Sequence, residues 1–212
     1  MTTAKPTKAT KVTKAAQAQA TRRALLDAAR TLFGEQGYAG TSVDEIVRHA
    51  GVTKGAMYHH FHDKDELFRA VVEEVKVEVT GKAAQTFVEI AAAGDSMRTV
   101  LEGCFALIDA SVDPRVQQIT VLDVRSVLDV ADRRDLDARY EVALLRGAFR
   151  SAMRAGSVRE QPIAPLAHIV AGAIIEACAM IVEAIDKESA RAEARHVITQ
   201  LLSGLAPSSD DG

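Results

Sequence analysis

The chain of 212 residues is long enough to bury a sizeable core, so it needs neither disulfides nor a structural metal for stability. Hydrophobic residues make up 48% of it, but Trp is absent and aromatic residues are only 4%, which favours helices packed on helices. The charges are unevenly placed: residues 1–69 carry 11 Lys and Arg against 7 Asp and Glu, and residues 70–212 carry 15 against 22. A basic N-terminal third on an acidic body indicates a module that binds a polyanion.

Cysteine usage and hydropathy indicate a cytoplasmic protein. Cys104 and Cys178 lie far apart in apolar surroundings without C-x-x-C spacing, so we expect buried thiols, with a redox sensor as the alternative. No secretion signal opens the chain. Residues 166–185 are long and apolar, but a histidine and two glutamates interrupt them, which favours a buried interface helix over a membrane span.

The chain divides by composition into a tail, two domains and a second tail. Residues 1–20 combine Lys, Ala, Thr and Gln without an acidic residue, and we expect a disordered basic tail. Residues 21–69 predict three short helices and the start of a longer fourth, a DNA-binding domain. Residues 70–206 continue with helical periodicity as a regulatory and dimerisation domain, before a polar tail at 207–212. The fold class predicted is all-α.

Within the second domain, three long helices are predicted near the C-terminus. They cover residues 132–155, 162–186 and 187–205, with a short irregular helix upstream over residues 121–130. The last two helices carry apolar residues on more than one face, so we expect them to form a homodimer interface.

A helix-turn-helix is indicated between residues 42 and 60. Ser42 and Glu45 have the spacing of a capping box for one helix, Gly51 permits a left-handed turn, and Thr53 caps the next helix. In such motifs the N-terminal part of the second helix enters the major groove. The alternative is a tight helical corner without a DNA role.

This placement predicts two sets of DNA contacts. Base edges would be approached by Lys54, Gly55, Ala56 and His59, where the small residues permit close approach. Hydroxyls, a cation and ring nitrogens would bind phosphates, and the candidates are Thr41, Ser42, Thr53, Tyr58, His60 and Lys64. Adjacent histidines on a helix point in different directions, so we predict no metal site.

Residues 23–71 resemble the tetracycline-repressor (TetR) family of bacterial regulators. The resemblance is carried by Ala28-Ala29, Leu32-Phe33, Gly37-Tyr38, Thr41-Ser42-Val43, Ala50-Gly51-Val52, Thr53-Lys54-Gly55-Ala56-Met57-Tyr58-His59-His60-Phe61 and Lys64-Asp65-Glu66-Leu67. It implies an all-α homodimer whose last two helices form a four-helix bundle, a small-molecule pocket, and a near-palindromic operator. Repression relieved by an apolar or amphipathic effector is the commonest behaviour in that family.

Other functions have less support in the sequence. It contains no G-x-S-x-G elbow, Gly-rich phosphate loop, H-E-x-x-H motif or dinucleotide fingerprint, so we expect neither an enzyme nor a cofactor. A constitutive nucleoid-associated binder without an effector is the main alternative, and a ligand-binding protein with vestigial DNA activity is another. Candidates to line an effector pocket are Phe87, Phe105, Ile108, Leu122, Arg125, Leu128, Tyr140, Leu144, Glu176 and Met180.

Overall fold

A computed structural model describes residues 14–91, 94 and 96–207, and every regular element in these ranges is helical. The N-terminal helices are α1 (Lys14–Gly40), α2 (Val43–Ala50), α3 (Lys54–His60) and α4 (Lys64–Ala91). They are followed by α5 (Ser96–Ala110), α6 (Pro114–Gln117), a π-helical segment (Gln118–Asp123), α7 (Val124–Val127), α8 (Val130–Arg139), α9 (Glu141–Arg154), α10 (Ile163–Glu183) and α11 (Lys187–Ser203).

Helix α1 begins at Lys14, upstream of the predicted boundary at residue 21. Residues 14–20 are therefore helical rather than part of a disordered tail. Ala, Gln and Lys have high helix propensity, and extending an existing helix avoids the cost of nucleating a new one. The rest of the predicted basic tail and the end of the polar C-terminal tail lie outside the described residues.

The local signals of the helix-turn-helix are confirmed. The Ser42 hydroxyl accepts the amide of Glu45 at 3.2 Å, and the Glu45 carboxylate accepts the amide of Ser42 at 2.9 Å. Gly51 has φ 67°, in the left-handed region that favours glycine. The Thr53 hydroxyl accepts the amide of Ala56 at 3.2 Å and caps α3. These short-range interactions fix where α2 and α3 begin.

Helix α4 is shared between the two domains. Its first turns bury Leu67 and Phe68 in the N-terminal core, where the Phe68 ring meets Phe33 and Tyr38 edge-on, each at 5.2 Å between centroids. Its later turns pack on α5 and α9. A displacement of α4 therefore moves the DNA-binding domain relative to the regulatory domain.

The helix predicted over residues 132–155 is in fact two helices. The helix is interrupted at Tyr140, which has φ −112° and ψ −83° and separates α8 from α9. The Tyr140 hydroxyl donates to the Glu73 carboxylate of α4 at 2.7 Å. Neither Pro nor Gly marks the break, so it depends on contacts between distant segments.

The C-terminal helices each have a buried face and an exposed apolar face. In α10, Ile174 is 3% exposed and belongs to the protomer core, whereas Ile169 is 70% exposed. In α11, Val197 and Leu201 are also exposed. By length and composition alone α10 could cross a membrane, with 44% of its apolar window buried in the protomer.

Candidate DNA-binding surface and ligand cavity

The outer face of α3 presents the residues predicted to read DNA. Lys54, Gly55, Tyr58 and His59 are exposed, whereas Met57 is fully buried and anchors the helix to the domain core. Ala56 and His60 are half-buried beside this face. Because the buried side of the helix is fixed by packing, the exposed side has a defined orientation before any DNA binds.

Gly55 has no packing role within the protein. A Cβ built at this position would find only the Thr53 hydroxyl, at 4.0 Å, so a side chain would fit. Its backbone is helical, a conformation in which Gly is less stable than Ala by about 0.5–1 kcal/mol. Packing within the protein therefore does not require a glycine at position 55.

Thr41 and Lys64 both have hydrogen-bond partners within the protein. Thr41 is 2% exposed and its hydroxyl donates to the Gly37 carbonyl at 2.8 Å, so it is not available to a phosphate. The Lys64 ammonium donates to the carbonyls of Tyr38 and Thr41, each at 3.0 Å, and lies 3.8 Å from the centroid of the Tyr38 ring. Both residues build the connection between α1 and α2, and the interior contacts could not be read from the local motif.

Three further candidates, Ser42, Thr53 and Lys54, are exposed but already have intramolecular partners. The Ser42 and Thr53 hydroxyls serve as helix caps. The Lys54 ammonium lies 3.0 Å from the Asp44 carboxylate of α2, an exposed pair that a phosphate or base could displace at low cost. The His59 and His60 rings are 5.3 Å apart, and no group of three His, Cys, Asp or Glu residues suited to a metal is found in the described part of the chain.

The regulatory domain contains a cavity of about 440 Å³. Val79, Leu107, Ile174 and Ile175 form an apolar wall. The π-helical segment and the start of α7 form another side, and α8 and α9 contribute polar residues. Its size and mixed lining are those of a small-molecule site.

Three charged residues that line this cavity form an ion cluster, in which Lys76 and Glu141 are buried and Asp137 is half-buried. The Lys76 ammonium of α4 contacts Asp137 of α8 at 2.8 Å and Glu141 of α9 at 2.7 Å. Burial acts to lower the pKa of Lys76, but the charges of Glu141 and then Asp137 outweigh it and raise that pKa. Burial raises the pKa of Glu141, and Lys76 offsets this only in part.

The predicted pocket residues do not converge on one site. Arg125 lines the 440 Å³ cavity, Phe87 and Leu144 line a separate cleft of about 330 Å³, and Phe105 lines a third groove. Ile108 and Leu128 are buried core residues, Leu122 and Met180 are exposed, and Tyr140 is held by Glu73. Arg125 and Glu176 pair with each other at 3.1 Å, and their side chains are 49% and 65% exposed.

The ion cluster of the cavity, Lys76, Asp137 and Glu141, was not predicted from the sequence. Lys76 was the detectable one, because it is a lysine next to Val75 and near Val79 on the apolar face of α4. Asp137 and Glu141 could be identified only after Lys76 was known to be buried and to need acidic partners.

The two cysteines are poorly suited to redox sensing. Both are buried free thiols. Burial raises the pKa of Cys104 to about 12, and burial raises that of Cys178 to about 11. Since the thiolate is the reactive form, both thiols are expected to be inert at neutral pH.

The cavity wall also holds the DNA-binding domain. Thr120 and Val121 of the π-helical segment line the cavity, and Asp123 in the same segment accepts the amide of Tyr38, near the end of α1, at 2.7 Å. Beside this contact, Arg115 of α6 pairs with Glu35 of α1 at 2.6 Å. A ligand in the cavity would therefore touch the segment that fixes the end of α1.

Two family models match the chain and together cover both domains. The model described as "Bacterial regulatory proteins, tetR family" matches residues 25–71. The model described as "Tetracyclin repressor-like, C-terminal domain" matches residues 97–205, which is more than half of the chain. The chain belongs to the TetR family. It is a DNA-binding transcriptional regulator with the helix-turn-helix and helical C-terminal domain of that family.

Individual relatives agree with this assignment to the TetR family. A TetR-family transcriptional regulator from Pectobacterium atrosepticum is 31% identical, with 92% of this chain and 98% of that chain covered and a TM-score of 0.78. The regulator AcrR from Shigella flexneri is 51% identical over 57 residues, which are 27% of this chain and 26% of AcrR. This chain thus spans only about a quarter of that curated relative. FadR from Bacillus subtilis, solved with stearoyl-CoA, shares the fold at 19% identity, with 86% and 98% of the two chains covered and a TM-score of 0.70.

Proposed function

We propose that this TetR-family protein is a repressor that binds a near-palindromic operator as a homodimer and is released by a small apolar or amphipathic effector. The observation that carries the DNA-binding part is the exposed N-terminal face of α3, with a glycine that packs against nothing in the protein. One recognition helix reads few base pairs, so two helices related by twofold symmetry would read half-sites about 34 Å apart.

The effector part of the proposal is supported by the cavity and by what surrounds it. Lys76 and Val79 of α4 line the cavity, and the same helix starts in the DNA-binding domain. An effector dissociates the DNA only if it binds better to a conformation with the wrong spacing of recognition helices. FadR of the same fold was solved with the amphipathic ligand stearoyl-CoA. A cytoplasmic protein that responds to a small metabolite or toxic compound fits this arrangement.

The dimer is supported by the apolar faces that one protomer leaves exposed. Leu166, Ile169, Val170 and Ala173 of α10 and Ile198, Leu201 and Leu202 of α11 border one shallow groove on the surface. Exposed apolar patches of this kind mark association sites. A second copy packed against this groove would give the four-helix bundle that the resemblance implies.

The experiment that tests the proposal is selection of duplexes from a random pool by the purified protein, followed by titration at several salt concentrations. We expect an inverted repeat to be enriched. His59→Ala should relax the sequence preference at particular base pairs, whereas Tyr58→Phe should lower the affinity for all duplexes by a similar factor. Enrichment of no sequence, with a steep salt dependence alone, would instead support the constitutive nucleoid-associated binder.

A further inference from the structure

Glu141, which lines the 440 Å³ cavity, has a carboxylate oxygen that accepts no hydrogen bond from any described residue. Glu141 is 8% exposed, and its Oε1 accepts from Lys76 at 2.7 Å. Its Oε2 is buried and has no hydrogen-bond partner within the described part of the chain. A buried carboxylate oxygen left without a donor costs free energy, which a ligand group that donates to it would recover.

The charges of the Lys76, Asp137 and Glu141 cluster are also unbalanced. One buried cation, Lys76, faces two carboxylates, Asp137 and Glu141, so the cluster carries an excess of one negative charge when all three are ionised. Arg133 also lines the cavity, but it donates to the carbonyls of Arg125 and Leu128, at 2.8 and 3.1 Å, rather than to either carboxylate. Arg125 itself is half-exposed and paired with Glu176, towards the outside of the protein. Neither arginine donates to Glu141, so a donor for its second oxygen has to come from a ligand.

Apolar side chains cover the approach to this acceptor. Val79, Leu107 and Ile174 line the same cavity and are 6%, 1% and 3% exposed. A ligand that reaches Glu141 must therefore bring an apolar body with it.

We infer that the effector is a lipophilic amine, whose protonated nitrogen donates a hydrogen bond to Glu141 Oε2 while its apolar body packs against Val79, Leu107 and Ile174. This inference rests on the proposed function, because it names the ligand class of the proposed effector cavity. Charge-assisted hydrogen bonds are about twice as strong as neutral ones, so the ammonium should be preferred over a hydroxyl of the same shape. An anion in this position would face the two carboxylates and should be rejected.

A matched series of three compounds tests the inference on the full chain. The compounds are 4-phenylbutylamine, 4-phenylbutan-1-ol and 4-phenylbutanoate, which share one apolar body and differ in the terminal group. Titration calorimetry near neutral pH should rank the amine about tenfold tighter than the alcohol, with the carboxylate weakest. Equal binding of amine and alcohol, tightest binding of the carboxylate, or binding of none of the three would each overturn the inference.

Two variants test whether Glu141 is responsible for the preference of the amine over the alcohol. Glu141→Gln keeps the shape and an acceptor for Lys76 but removes the charge, and it should lower the preference of amine over alcohol to near unity. Glu160→Gln removes a carboxylate from the exposed loop before α10 and should keep the wild-type ranking. Circular dichroism should verify that Glu141→Gln is folded. A folded Glu141→Gln that still prefers the amine as strongly as wild type would contradict the role of Glu141. If this variant does not fold, the ranking of the three compounds by the wild-type protein still tests the inference.

The failure of this inference and the failure of the proposed function give different results. If wild-type protein selects an inverted-repeat duplex but does not prefer the amine, the regulator stands and only the ligand class is wrong. If it prefers the amine but selects no duplex, the ligand class stands and the proposed repressor activity is wrong.

Discussion

At Gly55, a single substitution should change protein stability and operator affinity in opposite directions. Its Cβ position is open and its backbone is helical, so Gly55→Ala should raise the free energy of unfolding by about 0.5 kcal/mol. In the complex the added methyl would lie between α3 and the bases, and overpacking of that kind should lower operator affinity about tenfold. Thermal unfolding and operator titration measure the two effects.

Gly81 provides the matched control for Gly55. It lies within α4, is exposed, and a Cβ there would meet nothing within 4 Å. Gly81→Ala should therefore give a similar gain in stability with unchanged operator affinity. If both variants bound the operator as tightly as wild type, the α3 face would not be the surface that approaches DNA.

Substitutions of Lys64 and of Lys54, the exposed lysine of α3, should have different effects. Lys64→Ala leaves the carbonyls of Tyr38 and Thr41 without its ammonium, and should lower the free energy of unfolding by about 1–3 kcal/mol. Operator affinity should fall for all sequences alike, because the α1–α2 connection is loosened. Lys54→Ala removes only the exposed pair with Asp44, so its unfolding midpoint should change little while base preference changes. Chemical denaturation of both variants distinguishes the two lysines.

At the scale of elements, short-range signals were predictable and long-range contacts were not. The caps at Ser42 and Thr53 and the left-handed Gly51 involve residues close in sequence, so the pattern of residues determines them. The break at Tyr140 depends on Glu73, which lies far away in the chain.

The candidate sites show the same division. The exposed residues of α3 follow from helical periodicity, whereas Thr41 is buried by the α1–α2 connection. The cavity is assembled from six helices and the π-helical segment, so apolar residues that line it look like core residues in the sequence.

The π-helical segment is the element that we expect to carry the effector signal. Asp123 accepts the Tyr38 amide at 2.7 Å, next to Gly37, where α1 is kinked with φ 73°. Asp123→Ala should increase hydrogen exchange at the Tyr38 amide, because its acceptor is removed. It should also reduce the change in operator affinity that a bound effector causes, since the cavity wall no longer holds the end of α1.

The control for Asp123 removes a carboxylate that is remote from this contact. Glu183 is exposed at the end of α10, and Glu183→Ala should leave the exchange at Tyr38 and the effector response unchanged. An unchanged effector response in Asp123→Ala, with faster exchange at Tyr38, would show that the signal travels through α4 alone.

At the scale of the whole molecule, the division of α10 into two faces decides which substitutions test the dimer. An arginine in place of Ile174 would enter the protomer core, because Ile174 is 3% exposed. It would unfold the chain rather than separate two chains. Ile169 and Leu201 are 70% and 62% exposed and border the same groove, so they are the positions that a partner would cover.

We therefore predict that Ile169→Arg and Leu201→Arg each convert the dimer to a folded monomer. A charge at a desolvated apolar interface costs several kcal/mol, whereas the same side chain in the isolated protomer points to water. Light scattering should report a mass near the 22.7 kDa of one chain for these variants and about twice that for wild type. Val77→Arg, at an exposed apolar position of α4, should remain dimeric. Operator affinity should fall with the dimer, since two linked recognition helices bind far more tightly than one. A dimer that survives both substitutions would show that another surface joins the protomers.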